Sequence, residues 1–467
     1  MHANKNCVNK YVAGDDVDVD LYPFLLRYKD GRIERLLRSP FVPASDDPTT
    51  NRGVATRDVV VDHVTGVSAR LFLPSLAAAM AGNRRLPLVV YIHGGSFCTE
   101  SAFCRTYHRY ATSLAAAAGA LVVSVEYRLA PEHPIPAAYD DAWSALRWAT
   151  SPLTTDPWLA THADPRRTFL AGDSAGGNIA YHTAVRASRR RDDVTGVEGV
   201  VIVQPYFWGA ERLPSESAAA VDEGGAVAVL PVNGVDRLWP FVTAGQAGNE
   251  DPRINPTDEE IASLTSTCRR VMVAVAEKDT LRERGVRLFD RVRECYELTG
   301  SGEVTLVESE GEDHGFHLYN PLRATSRMLM ESIVQFINRP PAPEKNGGLH
   351  HLHAWEEKSL SRTTNKTPAA AAAAAATKLV MLGVPSRPFR DVFDYGMDMK
   401  EHCSSPICMS SAAYGGTSKF EKCGKAKESN KASYGLFKGP VRPNKACKGP
   451  AAAAAAFPGV LGIKNLF

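Results

Sequence analysis

Gly172-Asp-Ser-Ala-Gly176 stands between the apolar run Thr168–Ala171 and an amphipathic stretch over Gly177–Arg189. A strand, a sharp turn carrying serine and then a helix would lift the Ser174 hydroxyl above the edge of a sheet. Glycines would occupy the positions where such a turn leaves no room for side chains. A helix starting just after the serine directs its N-terminal dipole at negative charge developing there. The chemistry open to this serine is nucleophilic attack on an acyl carbonyl, through a covalent intermediate. A bare G-x-S-x-G is common; the flanking elements give this one its meaning.

That chemistry needs donors for an oxyanion, a base, and an acid to orient the base. His93-Gly-Gly-Ser-Phe97 directly follows Leu88–Ile92. Two glycines after a strand leave backbone N–H groups unobstructed, so Gly94, Gly95 and Ala175 are expected to form a three-donor oxyanion hole; otherwise the segment is an ordinary glycine turn. His93, at the strand end, is expected to hold the loop by hydrogen bonds rather than react. Between Ser174 and Arg339 the histidines are His182, His314 and His317. His182 lies within the helix after the serine, too close in sequence to swing back over it. His314 and His317 share a polar, glycine-containing loop after Val304–Val307, and the residues alone leave both open. For the acid, Val271–Val275 leads into Ala276-Glu-Lys-Asp-Thr-Leu-Arg282. The shorter side chain at the loop tip favours Asp279 over Glu277, although Asp279 would also suit a helix cap. Asp313 adjoins His314 in a tight loop and is a poor orienter.

The elements needed to position these groups are legible. Strand candidates are Asp58–Val61, Ala69–Leu73, Leu88–Ile92, Leu121–Val125, Thr168–Ala171, Val200–Val203, Val271–Val275 and Val304–Val307. Most are β-branched and unalternating, as in strands buried on both faces. Helix candidates are Tyr107–Ala118, Ala137–Ala149, Gly177–Arg189, Arg284–Leu298 and Leu322–Ile337. The alternation predicts an α/β fold with a mostly parallel central sheet flanked by helices. The first two strand candidates lack a helix between them and fit an antiparallel edge. Residues 206–265 break the alternation and are expected to form a cap-like insertion over the ligand face. Residues 1–55 are expected to form an N-terminal cap segment, with 56–339 as the core. Aromatics in both covering pieces, among them Tyr206, Phe207, Trp208, Trp239 and Phe241, either line an acyl pocket or anchor surface loops.

The chain up to Arg339 uses 32 arginines and 4 lysines, the remainder 4 and 14, which marks a boundary there. With its two alanine tracts and no apolar periodicity, 340–467 reads as a low-complexity, disordered tail. His350, His351 and His353 with Cys403, Cys408, Cys423 and Cys447 match no zinc spacing. None of the 9 cysteines forms a C-x-x-C pair, so reduced thiols are expected. No run approaches the roughly 20 apolar residues of a membrane span, and Met1–Asp20 lacks the apolar centre of a secretory signal. A soluble, cytoplasmic protein is expected, without metal, cofactor, nucleic-acid or membrane partner; its formal net charge is +2.

With these residues in place, the chain resembles the hormone-sensitive-lipase-like α/β-hydrolases, in particular the plant carboxylesterase branch that includes the gibberellin receptors. The carriers are His93-Gly-Gly-Ser-Phe, Tyr127-Arg-Leu-Ala-Pro-Glu-His-Pro134, Ala137-Ala-Tyr-Asp-Asp141, Gly172-Asp-Ser-Ala-Gly-Gly-Asn178, Lys278-Asp-Thr-Leu-Arg and Glu312-Asp-His-Gly-Phe-His. The likeness runs from Tyr22 to Arg339; the tail has no counterpart in it. It implies an α/β-hydrolase fold, a nucleophile, acid and base at Ser174, Asp279 and His314, and oxyanion donors at Gly94, Gly95 and Ala175. It further implies a structural Tyr127–Asp141 block and hydrolysis of a small-molecule carboxylic ester. Receptors of this branch typically replace the site histidine, and some dehydratases of the branch carry threonine at the nucleophile position. His314 and Ser174 therefore favour hydrolysis.

Overall fold

In the computed structural model, which describes residues 16–75, 85–190, 196–217 and 229–340, each of the eight apolar runs falls on a strand of one sheet, with only Val61 of Asp58–Val61 lying past its strand's end. A smaller antiparallel sheet precedes it, formed by β1 (Val17–Leu21), β2 (Leu25–Tyr28) and β3 (Ile33–Arg35). The main sheet comprises β4 (Val54–Val60), β5 (Ser68–Pro74), β6 (Leu86–Ile92), β7 (Leu121–Glu126), β8 (Ala163–Asp173), β9 (Val197–Val203), β10 (Arg270–Ala276) and β11 (Glu303–Ser309). Its order is β11-β10-β9-β8-β6-β7-β5-β4. The strands from β7 to β11 run parallel, while β5 lies antiparallel to both β7 and β4 and makes the expected edge.

The helices are α1 (Arg105–Ala118), α2 (Ala137–Thr150), α3 (Pro157–His162), α4 (Ala175–Arg189), α5 (Pro214–Ser217), α6 (Val232–Val242), α7 (Asp258–Leu264), α8 (Arg282–Thr299), α9 (Phe316–Tyr319) and α10 (Ala324–Asn338). Because strand side chains alternate, unbroken apolar strands feed two cores at once. Leu88, Val90 and Ile92 of β6 join a cluster with Leu146 of α2, Ile179 of α4 and Val292 of α8. Val89 and Tyr91 join a second cluster with Leu114 of α1 and Ile333 and Phe336 of α10. Helices on both faces leave the carboxyl ends of the parallel strands as the edge where loops converge.

The N-terminal segment is tied to the loop after β6. The Arg35 guanidinium donates to the Cys98 carbonyl at 2.8 Å and pairs with Glu132 at 2.7 Å. Phe41 forms a β-bridge with Cys104, and the Arg105 N–H donates to the Pro40 carbonyl. In the 206–265 stretch, Tyr206, Phe207, Trp208 and Trp239 are all buried. Phe97 meets Tyr206 and Trp239 edge-on, both at 5.6 Å, so these aromatics anchor the loops around Phe97. Residues 218–228 of that stretch, and the tail from 341 with its histidines and cysteines, lie outside the described residues.

Candidate active site

The turn between β8 and α4 is tight for steric reasons. A Cβ on Gly172 would lie 2.3 Å from the Gly176 carbonyl oxygen, and one on Gly176 would lie 2.1 Å from that of Ile92. Ser174 itself sits at φ 51°, ψ −120°, an unfavourable conformation for a residue with a side chain. The surrounding backbone holds it there. Its N–H donates to the Val203 carbonyl at 2.9 Å, and its carbonyl accepts from Tyr206 N at 2.9 Å.

Ser174, His314 and Asp279 meet at the carboxyl edge of the sheet. His314 Nε2 lies 2.9 Å from Ser174 Oγ, and His314 Nδ1 lies 2.8 Å from Asp279 Oδ2. Asp279 Oδ1 accepts from Leu281 N at 2.9 Å, so one carboxylate both faces the imidazole and fixes the entry to α8. Glu277, the alternative acid, is spent elsewhere: its carboxylate accepts from Gly311 N at 2.6 Å. Together with Lys278 N donating to the Glu312 carbonyl at 2.9 Å, that bond ties the loop of Asp279 to the loop of His314. Burial pulls the His314 pKa down, but the charge and hydrogen bond of Asp279, with Asp173 and Asp313 behind, outweigh it. The net position is above 6.5.

The other histidines do different work. His317 is buried against Tyr110 and Phe316, has no hydrogen bond on either ring nitrogen among the described residues, and burial drives its pKa to about 3. It is a neutral packing residue. His182 Nε2 donates to the Arg253 carbonyl at 2.7 Å. His93 Nδ1 donates to the Gly94 carbonyl at 2.7 Å, and its ring stacks on Tyr127 at 4.2 Å, which holds the loop as expected.

Tyr127 is itself a brace: its hydroxyl reaches the carbonyls of His93 and Gly94 at 3.0 and 3.3 Å. Arg128, next in the chain, pairs with buried Asp141 at 2.7 Å.

The structure corrects one oxyanion donor. The Gly94 N–H donates to the Tyr107 hydroxyl at 2.9 Å, and that hydroxyl donates on to Asp173 Oδ2 at 2.9 Å. The reason is close packing: a Cβ on Gly94 would lie 2.4 Å from Asp173 Oδ2. Gly94 is therefore a glycine of close approach, with its N–H turned into the core. The N–H groups of Gly95, Ser96 and Ala175 make no hydrogen bond among the described residues. Gly95, Ser96 and Phe97 follow one another at φ 104°, 55° and 60°, a left-handed run that bends the loop sharply.

Two supporting residues were not singled out in the sequence. Asp173 accepts from the hydroxyls of Tyr91 at 2.6 Å and Tyr107 at 2.9 Å; burial pushes its carboxyl upward, against those bonds and the His314 charge. Gln204, at the end of β9, accepts from Gly315 N at 2.9 Å through Oε1 and donates through Nε2 to the Asp313 carbonyl at 3.3 Å. It thus grips the chain on both sides of His314. Its position at a carboxyl strand end was the one available signal. Among the described residues, no group of three or more His, Cys, Asp or Glu is placed to hold a metal.

A profile of the α/β-hydrolase fold matches residues 89–318. Over 335 residues the chain is 40% identical to a 2-hydroxyisoflavanone dehydratase of Glycyrrhiza echinata, covering 69% of this chain and 96% of that protein. It is 36% identical over 332 residues to a probable carboxylesterase of Arabidopsis thaliana, covering 69% and 98%. It is 39% identical over 327 residues to a tuliposide A-converting enzyme of Tulipa gesneriana, covering 69% and 80%. Among solved structures, a thermophilic carboxylesterase from a metagenomic library gives a TM-score of 0.51 at 25% identity, covering 66% of this chain and 92% of that one.

Proposed function

The chain belongs to the α/β-hydrolase family, in its plant carboxylesterase branch, and from that premise we propose a carboxylic ester hydrolase that cleaves small acyl esters through Ser174, His314 and Asp279. The observation that carries this reading is the line of two hydrogen bonds, 2.8 and 2.9 Å, from Asp279 through His314 to Ser174. As Ser174 Oγ bonds to the acyl carbon, its proton passes to His314 Nε2, and Asp279 stabilises the imidazolium. The carbonyl oxygen gains the negative charge and is received by the N–H groups of Gly95 and Ala175, with Ser96 N–H in place of Gly94. Collapse of the tetrahedral intermediate breaks the bond to the alcohol oxygen, which takes the proton back from His314. Water repeats the sequence on the acyl-serine and releases the acid. Ser174 is 7% exposed and Asp279 5%, so these charges act where water screens them little.

Purified protein is expected to hydrolyse p-nitrophenyl acetate and butyrate. Ser174→Ala should lower kcat by about 10⁴-fold or more while circular dichroism stays that of the wild type. Turnover unchanged in that variant would remove Ser174 from the mechanism. The likeness to a dehydratase motivates a second assay. The same base next to the same donors could remove a proton beside a carbonyl and expel a hydroxyl as water. Loss of water from a 2-hydroxyisoflavanone without esterase turnover would favour that reading instead.

A further inference from the structure

Arg105 and Arg109 stand four residues apart, on one face of the first turns of α1. Arg52 ends the short turn Pro48–Asn51 in a left-handed conformation, φ 56°. All three line one half-open hollow of about 300 Å³, which Thr50, Thr112 and His108 also line. Many arginines elsewhere pair with carboxylates, among them Arg70 with Asp58 at 2.6 Å, Arg128 with Asp141 at 2.7 Å and Arg284 with Glu216 at 2.6 Å. The guanidinium groups of Arg52, Arg105 and Arg109 make no ion pair or hydrogen bond among the described residues, and no carboxylate lines the cavity.

His108 adds a donor without adding charge. It is 7% exposed, and its Nδ1 lies 3.1 Å from Arg70 Nη1. Since Arg70 can only donate, the proton of a neutral His108 is on Nε2. That nitrogen has no partner among the described residues. Burial, then the charge of Arg70, drive the His108 pKa to about 4, so the ring is neutral near pH 7. Burial lowers the Arg109 pKa as well, and the charges of Arg105 and Arg52 lower it further. Three like charges facing one hollow repel each other until an anion enters.

We propose that this cavity binds a compact phosphorylated small molecule, at a site separate from Ser174, His314 and Asp279. Guanidinium forks match phosphoryl oxygens two at a time, and a phosphoryl group has enough oxygens to engage three of them, which a single carboxylate does not. The size sits at the low end for small-ligand pockets, about 300–1,000 Å³.

Isothermal titration of the full chain, at constant ionic strength, with inorganic phosphate, inorganic pyrophosphate and glucose 6-phosphate tests the proposal. At least one probe should saturate a single site. Arg105→Ala and Arg109→Ala should each weaken it about tenfold or more, and the triple variant with Arg52→Ala should abolish it. A preference for pyrophosphate identifies a diphosphoryl ligand, and a preference for glucose 6-phosphate a phosphate ester. All three side chains are exposed, so the variants should keep the wild-type thermal melt. The proposal is overturned if no probe saturates up to about 10 mM, or if the triple variant binds as the wild type does.

Discussion

Two glycine-bearing turns meet at Ser174, and different physics holds each of them. The turn Gly172–Gly176 is fixed from within. Backbone crowds its flanks to 2.1–2.3 Å of any added Cβ, and strand and helix follow without a break on either side. The loop from His93 to Ser101 is fixed from outside. Tyr127 holds two of its carbonyls, Tyr107 holds the Gly94 N–H, and Arg35 holds the Cys98 carbonyl. Glu126 accepts from Ser101 Oγ and Ala102 N at 2.8 and 2.7 Å. Where local sterics decide, spacing in the chain assigns each residue its place. Where distant side chains decide, spacing says that donors exist but not which way they point.

The contrast can be broken most severely at the elbow. Gly176→Ala puts a methyl 2.1 Å from the Ile92 carbonyl and 2.5 Å from that of His93, both backbone atoms of the sheet edge. We expect a stability loss of about 3 kcal/mol or more, read as a lowered urea midpoint, or no folded protein at all. A midpoint matching the wild type would mean that the turn is not sterically closed. Gly95→Ala should act on chemistry instead. Its Cβ would meet the Thr99 carbonyl, within its own loop, at 2.3 Å, so the loop shifts and takes the Gly95 N–H with it. With far-ultraviolet circular dichroism retained, kcat should fall about 10²–10³-fold.

Tyr107→Phe sharpens the comparison further. Removing the hydroxyl leaves the Gly94 N–H without its acceptor and Asp173 with one donor fewer, all in the core. Stability should drop by about 1–3 kcal/mol while kcat stays within about tenfold of the wild type. A larger fall in kcat than in stability would instead put the Gly94 side of the loop in direct contact with the reaction.

How far the sequence reaches follows from the same contrast. The eight strands of the main sheet were readable because burial on both faces forces unbroken apolar runs such as Leu86–Ile92. The small N-terminal sheet was not read, although Val17-Asp-Val-Asp-Leu21 does alternate, because its strands are short and only half buried. Ser174, Asp279 and His314 could be picked out because each follows a strand at the carboxyl edge, and the structure brings them together. His314 could be separated from His317 only by resemblance; spatially, one meets Ser174 and the other is walled in by aromatics. The direction of the Gly94 N–H depends on Tyr107, 13 residues away on α1, and no local pattern encodes it. Gln204 looks like any polar residue after a strand; its grip on Gly315 lies 111 residues along the chain.

The smallest expected effect concerns pH, and it tests whether that grip matters. Only neutral imidazole can accept the Ser174 proton, so activity falls as pH drops through the His314 pKa. Burial lowers that pKa, but Asp279, Asp173 and Asp313 raise it more, which places the acid limb of kcat/KM above pH 6.5. Gln204→Glu keeps an acceptor for the Gly315 N–H but adds a negative charge beside the loop, which favours the imidazolium. The limb should then move up again, by about half a unit to one unit. Gln204→Leu removes both bonds without adding charge; it should lower kcat about tenfold and leave the limb without an upward shift. If the Glu and Leu variants gave the same profile, Gln204 would act only as packing under the loop, and the histidine would owe its placement to Asp279 and the backbone ties from Glu277 and Lys278.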